Sequence, residues 1–356
     1  MNGRLHSRVN SLPLYMILIA PDKFKGTFTA AEAADIIAGV ISPAVGLPVL
    51  RHPVADGGED SQIIILRAPL ATPFAGVWAD AASPDVCVVS SQVVGPGYYP
   101  ADMPLARRSS RALGRAIAHA AGICRGRLFV AVGGTQCCDA GAGMLAALGA
   151  RFFDAAGNDI SSDICPATLG RVAAADLSGT TVPASLTAVC DVRASLTSSP
   201  LSALDFVAQK ALPGEDLSLF RSALDSFGSL FPDRSPFDGA GGGIGFALCS
   251  VLHSQAVAGA ELAADRIGWD SVSLLITGEG CVDRQTTGGK TVDILCRRAR
   301  RHGIPAVIIA GTRRGSLPYP HVFTADTAPG ATRAGKLASA AREALPLIIR
   351  LLKKKE

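Results

Sequence analysis

The stretch MILIAPDKFKGTFTAAEAADIIAGV, residues 16–40, decides the fold of this chain. Its first five residues are an apolar run of strand length, and the polar loop PDKFKGTF (21–28) follows them. Thr29 and Glu32 then form a capping-box pattern, in which both side chains accept backbone N–H groups at a helix start. Behind this pattern, apolar residues recur at intervals of three and four: Ala33, Ile36, Ile37 and Val40. The stretch therefore predicts a strand, a loop and an amphipathic helix.

The same order of elements recurs further along the chain. Pro43 ends the helix, and LPVLRHPV (47–54) predicts a second strand that opens into ADGGED (55–60). Near the C-terminus, SVSLLI (271–276) and AVIIAGT (306–312) predict strands on either side of another amphipathic helix, whose apolar face comprises Val292, Leu295, Cys296 and Ala299. Such alternation predicts a parallel sheet with right-handed crossovers, helices on both faces, and polar loops gathered at one edge.

A second α/β region interrupts this pattern. VCVVSSQ (86–92), RLFVAVGG (127–134) and SLTAVCD (185–191) predict strands, and a helix is expected near residues 109–121. Two glycine-rich turns, 133–143 and 239–245, each precede an apolar run, the second of which predicts a helix that starts near Phe246. We expect a tail over 1–15, one discontinuous domain over 16–64 and 261–356, and an α/β domain inserted over 65–260.

Composition excludes several classes of protein. Charged residues make up 18% of the 356-residue chain, the net charge is +4, and no basic block with interleaved aromatics occurs, which disfavours nucleic acid as a partner. No apolar run reaches the roughly 20 residues that span a bilayer, so no membrane association is expected. Nine dispersed cysteines without a C-x-x-C pair indicate reduced thiols in the cytoplasm. The basic end, LIIRLLKKKE (347–356), predicts a terminal helix packed on the sheet.

Four polar loops, at 21–26, 55–59, 278–290 and 311–315, are expected to share the carboxyl edge of the parallel sheet. Carboxylates beside glycine and lysine suit a polyphosphate with bound Mg²⁺. The loop TGEGCVDRQTTGGK (277–290) is not a Walker A motif, because Arg284 stands where that motif needs glycine. Turn capping is the structural alternative for the aspartates, and solvated loop charge is the alternative for Lys23 and Lys25.

A different binding class has weaker support. GAGMLA (141–146) matches the dinucleotide pattern G-x-G-x-x-A, but residues 136–140 separate it from the preceding strand, whereas that motif needs a tight turn. Cys137 and Cys138 have no histidine nearby in sequence and are predicted to be packed thiols rather than nucleophiles.

Taken in order, the loops resemble those of the bacterial glycerate kinase family that acts on free D-glycerate. The resemblance covers residues 16–315 and rests on APDKFKGTFTAAEAA, PVADGGE, GGTQCCDAGAGMLAALGA, VCDV, AQKA, GAGGGIG, TGEGCVDRQTTGGK and HGIPAVIIAG. It implies a flavodoxin-like parallel-sheet domain interrupted by a second, inserted α/β domain. It also implies transfer of the γ-phosphoryl group of ATP to a hydroxyl of D-glycerate.

The resemblance implies roles for individual residues. Asp191 or Asp56 would be the catalytic base, and Lys25 would act with them at the phosphate or the glycerate carboxylate. Glu279 and Asp283 would help to hold Mg²⁺. The remaining positions expected to bind substrate or nucleotide are Lys23, Thr135, Asp139, Lys210, Gly241, Gly242, Gly243, Gly278 and Lys290.

Departures from the family pattern leave two other functions open. Gln136, Cys137 and Cys138 replace the usual Ala-Thr-Asn, and VCVVSSQ lacks the glutamate expected in its strand. The changes cluster in the inserted domain, so the nucleotide side matches the family better than the acceptor side. A kinase for another small hydroxy acid and a non-catalytic relative are the alternatives. The sequence does not fix the number of subunits, and a homodimer is one arrangement left open.

Overall fold

The computed structural model describes residues 15–182, 185–283, 286 and 290–353. All but Tyr15 of the predicted tail therefore lies outside the described residues, as do residues 284–285 and 287–289 of the predicted binding loop. The strands are β1 Met16–Ile19, β2 Val49–Arg51, β3 Pro69–Ala71, β4 Val77–Asp80, β5 Val86–Val89, β6 Leu128–Ala131, β7 Arg151–Phe153, β8 Ala174–Asp176, β9 Leu186–Cys190, β10 Gln255–Ala258, β11 Val272–Thr277, β12 Cys281–Val282, β13 Ala306–Ala310, β14 Thr312–Arg313 and β15 Val322–Thr324.

The helices are α1 Ala30–Ile41, α2 Gln62–Ile65, α3 Ser90–Val94, α4 Arg111–Ile123, α5 Ala142–Ala147, α6 Pro166–Leu169, α7 Leu204–Lys210, α8 Leu217–Ser229, α9 Ile244–Phe246, α10 Gly259–Asp265, α11 Thr291–Arg301 and α12 Arg333–Lys353. The wider turns of a π-helix continue α9 over Ala247–Val251.

Two compact units make up the chain. Unit 1 comprises 1–54, 265–288 and 292–356, and unit 2 comprises 55–264 and 289–291. Unit 2 begins at Ala55, ten residues before the expected start of the inserted domain, and ends at Ala264, four residues after its expected end. The ADGGED loop therefore belongs to unit 2, although it follows a strand of unit 1.

Unit 1 contains a parallel sheet with the order β2-β1-β11-β13-β15 in the described residues. Renumbered within the unit, this is the order 2-1-3-4-5 of flavodoxin-like sheets. The capping box at α1 is confirmed: Glu32 N donates to Thr29 Oγ1 at 3.1 Å, and Thr29 N donates to Glu32 Oε2 at 2.8 Å. The helix predicted at the basic C-terminal end is α12, whose Ile348 is buried in the core that α1 and the sheet form.

Alternate residues of the unit 1 strands face opposite layers. Strand β13 illustrates this arrangement, since Val307 and Ile309 pack with α1 and α12, while Ile308 and Ala310 pack with α11. This period of two buries both faces of the sheet, as parallel sheets require. The predicted fold, a parallel sheet with helices on both sides, is confirmed here.

Unit 2 contains a sheet with the order β10-β9-β6-β5-β4-β3 over the described residues. The first four strands are parallel, and β4 and β3 add an antiparallel edge. The helix predicted to start near Phe246 starts two residues earlier, at Ile244, because Gly243 adopts the left-handed backbone conformation that ends the glycine turn. Strand β6 lies between β5 and β9, and the loops beyond these three strands form the site described below.

Candidate active site

Gly133, which follows β6, is the point where two loops of unit 2 meet. Gly133 N donates a hydrogen bond to Gly57 O at 2.9 Å. A Cβ at Gly133 would lie 2.8 Å from the carboxyl carbon of Asp191 and 2.8 Å from the Cα of Gly58. A side chain at this position would therefore push apart the Asp191 carboxylate and the 57–58 loop. The structure brings Asp191 and the ADGGED loop together at the carboxyl edge of the unit 2 sheet.

Asp56 lies in the same loop and caps its turn. Its Oδ1 accepts a hydrogen bond from Gly58 N at 3.1 Å, which is the local bond typical of aspartate in turns. A Cβ at Gly259, the first residue of α10, would lie 2.2 Å from Asp56 O, so the loop rests directly on the start of that helix. Asp56 is half-buried and keeps part of its surface accessible.

Thr135, Lys210 and Gly241 form one hydrogen-bonded cluster in unit 2. Thr135 Oγ1 donates to Gly241 O at 2.9 Å, and Lys210 Nζ donates to Cys137 O at 3.1 Å and to Thr135 Oγ1 at 3.5 Å. Lys210 is half-buried at the C-terminal end of α7. An ammonium group has three N–H donors, so Lys210 can also bind an anion from this position.

The glycines Gly241, Gly242 and Gly243 are explained by packing. All three have positive φ angles, +62°, +72° and +93°. A Cβ on Gly241 would lie 2.6 Å from Val132 O, and one on Gly242 would lie 2.2 Å from Cys137 O. Close backbone approach therefore requires these glycines, whether or not a phosphate binds to the turn.

Asp139 is fully buried and organises the loop around it. Its Oδ2 accepts from Ser110 N at 2.7 Å, Ser110 Oγ at 2.9 Å, Ser109 Oγ at 3.3 Å and Gly143 N at 3.2 Å, while Oδ1 accepts from Gly141 N at 3.2 Å. Burial raises the pKa of Asp139, and the hydrogen bonds act in the opposite direction. In this structure the carboxylate contacts protein groups on both oxygens.

The cysteines of the 133–143 loop are packed thiols, as predicted. Cys137 and Cys138 are 0% and 1% exposed. Burial raises the pKa of Cys138 to about 11 and that of Cys137 further, so both remain protonated at neutral pH. All nine cysteines carry free thiols.

Three predicted loops converge within unit 1. Asp22 N donates to Gly278 O at 2.8 Å, and Gly311 N donates to Glu279 O at 3.0 Å. A Cβ at Gly278 would lie 1.8 Å from Ile309 O, so only glycine permits this contact between the strands β11 and β13. The loops that follow β1, β11 and β13 thus lie together beyond the carboxyl ends of their strands.

The basic residues of these loops differ in accessibility. Lys25 is exposed, whereas Lys23 and Lys290 are half-buried. Lys23 N donates to Oδ1 of the preceding residue, Asp22, at 2.7 Å. Lys290 directly precedes α11 and belongs to unit 2 together with Thr291.

Glu279 and Asp283 are linked through Thr286, a residue that the sequence reasoning missed. Thr286 Oγ1 donates to Glu279 Oε1 at 2.8 Å and accepts from Asp283 N at 3.0 Å.

The carboxylates of Glu279 and Asp283 are half-buried, and both offer the hard oxygen atoms that Mg²⁺ prefers. Within the described ranges, no group of three or more His, Cys, Asp or Glu residues could hold a metal ion. A magnesium ion held by one or two carboxylates and phosphate oxygens does not need such a group, so the donor set fits.

Ser91 is a second residue that sequence reasoning did not select. It follows β5, is 8% exposed, and lies against Gly134 in the loop that follows β6. The signal available in the sequence was the polar pair Ser90-Ser91 directly after an apolar strand.

Comparison with known proteins finds relatives along most of the chain. The family model described as "Glycerate kinase family" matches residues 17–353. A glycerate kinase of Bacillus subtilis (strain 168) is 31% identical over 352 residues, covering 88% of this chain and 91% of the relative. A glycerate 2-kinase of Escherichia coli (strain K12) is 27% identical over 335 residues, covering 86% of this chain and 87% of the relative.

A solved structure has the same architecture. A crystal structure described as a candidate glycerate kinase 2 from Salmonella typhimurium LT2 superimposes with a TM-score of 0.72 at 26% identity. The match covers 94% of this chain and 98% of the other.

In the part of the chain that the structure describes, no helix is both long enough and apolar enough to cross a membrane.

Proposed function

Because the chain belongs to the glycerate kinase family, we propose that it transfers the γ-phosphoryl group of ATP to a hydroxyl of D-glycerate, with Mg²⁺ as the metal. The observation that best supports this proposal is the meeting of Asp191 with the 57–58 loop at Gly133. Phosphoryl transfer needs mainly positioning, charge neutralisation and one group that accepts the hydroxyl proton, and a carboxylate at the carboxyl edge of a parallel sheet suits that last role.

We propose Asp191 as the base, with Asp56 as the second candidate. The Asp191 carboxyl group packs against Gly133 and Gly58, so its position is defined by the backbone of two loops. Asp56 already accepts a hydrogen bond from its own turn, which favours a role in holding the loop. Fixed placement matters because a general base must lie within hydrogen-bond reach of the proton that it accepts.

The lysines would neutralise anionic groups. Lys210, held by Cys137 O and Thr135 Oγ1, would bind the glycerate carboxylate or a phosphate oxygen through its remaining N–H. Lys23, Lys25 and Lys290 are proposed to contact phosphate, since ammonium groups bind phosphate as point charges. Gly278 would serve the same loop by allowing its close approach to Ile309 O.

Glu279 and Asp283 are proposed to hold Mg²⁺ with the nucleotide phosphates. Thr286 links the carboxylate of Glu279 to the backbone of Asp283 and so restricts both residues before a metal binds. A bound Mg²⁺ would neutralise charge that develops on the phosphate oxygens during transfer.

A kinase for another small hydroxy acid is the second candidate. The observation that favours it is the strand VCVVSSQ (86–92), which lacks the glutamate that the resemblance leads us to expect, together with the changed residues at 136–138. Free thiols at every cysteine fit a reducing compartment and support the proposed cytoplasmic location.

The test is Mg²⁺-dependent ATP consumption by the full chain against a panel of acceptors: D-glycerate, L-glycerate, lactate, 3-hydroxypropanoate and tartronate. We expect turnover with D-glycerate to exceed that with every other acid and to stop when EDTA is present. Faster turnover with another hydroxy acid would replace glycerate by that acid, and ATP consumption without magnesium would remove the metal from the proposal.

A further inference from the structure

The hydroxyl of Ser91 is an unused polar group at the edge of the candidate active site. Ser91 is 8% exposed, and its Oγ has no hydrogen-bond partner among the described residues. Buried polar groups are nearly always paired in proteins, so an orphaned hydroxyl calls for a physical explanation. A ligand that binds at this place would supply the partner.

The strand pairing of β5, β6 and β9 places Ser91 near the proposed base. Val89, the last residue of β5, pairs with Ala131 of β6, and Ala131 pairs with Val189 of β9. Beyond these pairs, Ser91 lies in the first turn of α3, Gly133 and Gly134 follow β6, and Asp191 follows β9. A Cβ at Gly133 would lie 2.8 Å from the Asp191 carboxyl carbon, and one at Gly134, the next residue, would lie 2.7 Å from Ser91 Cβ. A small acid bound above these two glycines would therefore have Asp191 at one end and Ser91 at the other.

The surface between Ser91 and Asp191 is open because it consists of glycine. Gly134 is exposed and has a φ of +77°. A Cβ there would lie 2.7 Å from Ser91 Cβ, 3.6 Å from Ser91 Oγ and 3.8 Å from Glu59 Cγ. Ser91 and Glu59 thus flank the same glycine, and rotation about the Cα–Cβ bond of Ser91 can direct its hydroxyl over Gly134.

The charge of Glu59 decides which group of the acid would bind here. Its carboxylate would repel the carboxylate of the substrate, but it can accept a hydrogen bond from a substrate hydroxyl. Ser91 Oγ can donate to the same hydroxyl, whose oxygen is an acceptor. Serine and glutamate together therefore satisfy one hydroxyl in both of its hydrogen-bonding roles.

We propose that Ser91, with Glu59, binds the second, non-reacting hydroxyl of the acceptor and makes the site selective for dihydroxy acids over monohydroxy acids. This inference rests on the proposed function, because it takes the reacting hydroxyl to lie at Asp191. Ser91 is a specificity-determining residue in this scheme and takes no part in moving the proton.

The test compares Ser91→Ala with the parent chain on three acids: glycerate, lactate and 3-hydroxypropanoate. The last two each lack one hydroxyl of glycerate. We expect kcat/KM for glycerate to fall about tenfold, the change that loss of one ordinary hydrogen bond gives, while the value for the monohydroxy acid that keeps the reacting hydroxyl stays the same. Ser91→Thr keeps a hydroxyl and should restore part of the difference.

Ser90→Ala is the matched control. Ser90 is also buried, and its Oγ also lacks a hydrogen-bond partner in the described part of the chain, but it is not among the nearest neighbours of Gly134. The control should leave the preference for glycerate as it is in the parent. An equal fall for Ser91→Ala on glycerate and on the monohydroxy acid that keeps the reacting hydroxyl, or an equal loss of preference in both serine variants, would overturn the proposal.

Two further measurements separate this inference from the proposed function. Calorimetric binding of glycerate and of both monohydroxy acids, measured without ATP, should show in the parent a preference for glycerate over the acid that lacks the non-reacting hydroxyl, and a smaller preference in Ser91→Ala. If the parent shows this preference but consumes no ATP, the subsite stands and the proposed kinase activity fails. If the parent binds glycerate no better than either monohydroxy acid, the subsite is wrong. A melting temperature lowered by Ser91→Ala would mark the hydroxyl as a structural contact and would also overturn the inference.

Discussion

The 133–143 loop of unit 2 and the 277–283 loop of unit 1 contain the same residue types, glycines and carboxylates, but use them differently. Asp139 in the first loop is 0% exposed and accepts hydrogen bonds on both oxygens. Glu279 in the second is half-buried and accepts a hydrogen bond from the hydroxyl of Thr286. A carboxylate enclosed by protein donors builds the loop, whereas one at the loop surface can still bind a ligand. Residue type alone therefore does not distinguish a structural loop from a binding loop.

The largest effect is expected at Asp191. Asp191→Asn keeps the size of the side chain but removes its ability to accept a proton, so kcat for glycerate should fall by about 10²- to 10⁴-fold. Steady-state kinetics at saturating ATP and Mg²⁺ measure the change, and circular dichroism checks the fold.

Asp56→Asn is the matched control for Asp191. Because Asp56 caps its own turn through Gly58 N, an asparagine can keep that hydrogen bond through its amide oxygen. We expect a much smaller decrease in kcat, below about tenfold. If Asp56→Asn were the slower enzyme of the two, the base would be Asp56.

Stability should depend far more on Asp139 than on Asp191 or Asp56. Asp139→Ala would leave Ser110 N, Gly141 N and Gly143 N buried without their partner, so the free energy of unfolding should fall by about 3–5 kcal/mol. Urea denaturation monitored by circular dichroism measures the change.

The control for Asp139→Ala is Asp216→Ala, which removes an exposed side chain that caps a helix. Asp216 accepts from Ser218 N at 2.9 Å at the start of α8, and water can replace this carboxylate when it is removed. Asp216→Ala should therefore lower the free energy of unfolding much less than Asp139→Ala does. Equal losses in the two variants would mean that the enclosure of Asp139 has no energetic significance, and the contrast between the two loops would then fail.

Magnesium dependence should respond to Glu279 and not to Asp139. Glu279→Gln removes one anionic oxygen ligand while it keeps the side-chain volume, so the Mg²⁺ concentration for half-maximal activity should rise about tenfold or more. The free energy of unfolding should remain near that of the parent. A magnesium titration at fixed ATP measures the first quantity.

Glu343→Gln provides the comparison for the magnesium titration. Glu343 is an exposed residue of α12 and loses the same charge in that variant. Its magnesium curve should overlay that of the parent. An unchanged curve for Glu279→Gln as well would remove this residue from the proposed metal site.

The parts of this fold that could be predicted from sequence depend on local signals. The Thr29–Glu32 capping box, the apolar face behind it and the short apolar strands each operate within a few residues, and all appear in the structure. The helix expected to start near Phe246 starts at Ile244, two residues earlier, because the glycine turn before it ends at the positive-φ residue Gly243.

The candidate site could be predicted only in part, because its geometry is non-local. The sequence identified Asp191, Asp56 and Glu279 as separate candidates through their loops. It could not show that Gly133 brings Asp191 against the 57–58 loop, since these three segments are far apart along the chain. Ser91 and Asp191 approach the neighbouring residues Gly134 and Gly133 because β5 and β9 pair with opposite sides of β6, and this pairing becomes visible only in the folded sheet.

The smallest effect is expected at Asp80, another enclosed carboxylate of unit 2. Its oxygens accept from Arg67 N, Ala68 N, Ala82 N and Ser83 Oγ at 2.9–3.0 Å. Burial acts to raise the pKa of Asp80, but these hydrogen bonds outweigh it and hold the pKa well below its ordinary value. Because the folded pKa is depressed, the ionised carboxylate stabilises the fold above the ordinary value of 3.8, and this contribution is lost as the pH falls through the folded pKa.

Asp80→Ala should therefore lower the melting temperature most at pH 5–7, and the difference from the parent should shrink as the pH falls below 3.8. Thermal unfolding across this range measures the trend, with Asp102→Ala, an exposed position, as the control. A constant difference between the Asp80 variant and the parent at every pH would show that the side chain acts through packing rather than through its charge. In that case enclosure by N–H donors would not be enough to classify a carboxylate as structural, and Asp139 would need the same pH series before the two loops could be contrasted on this ground.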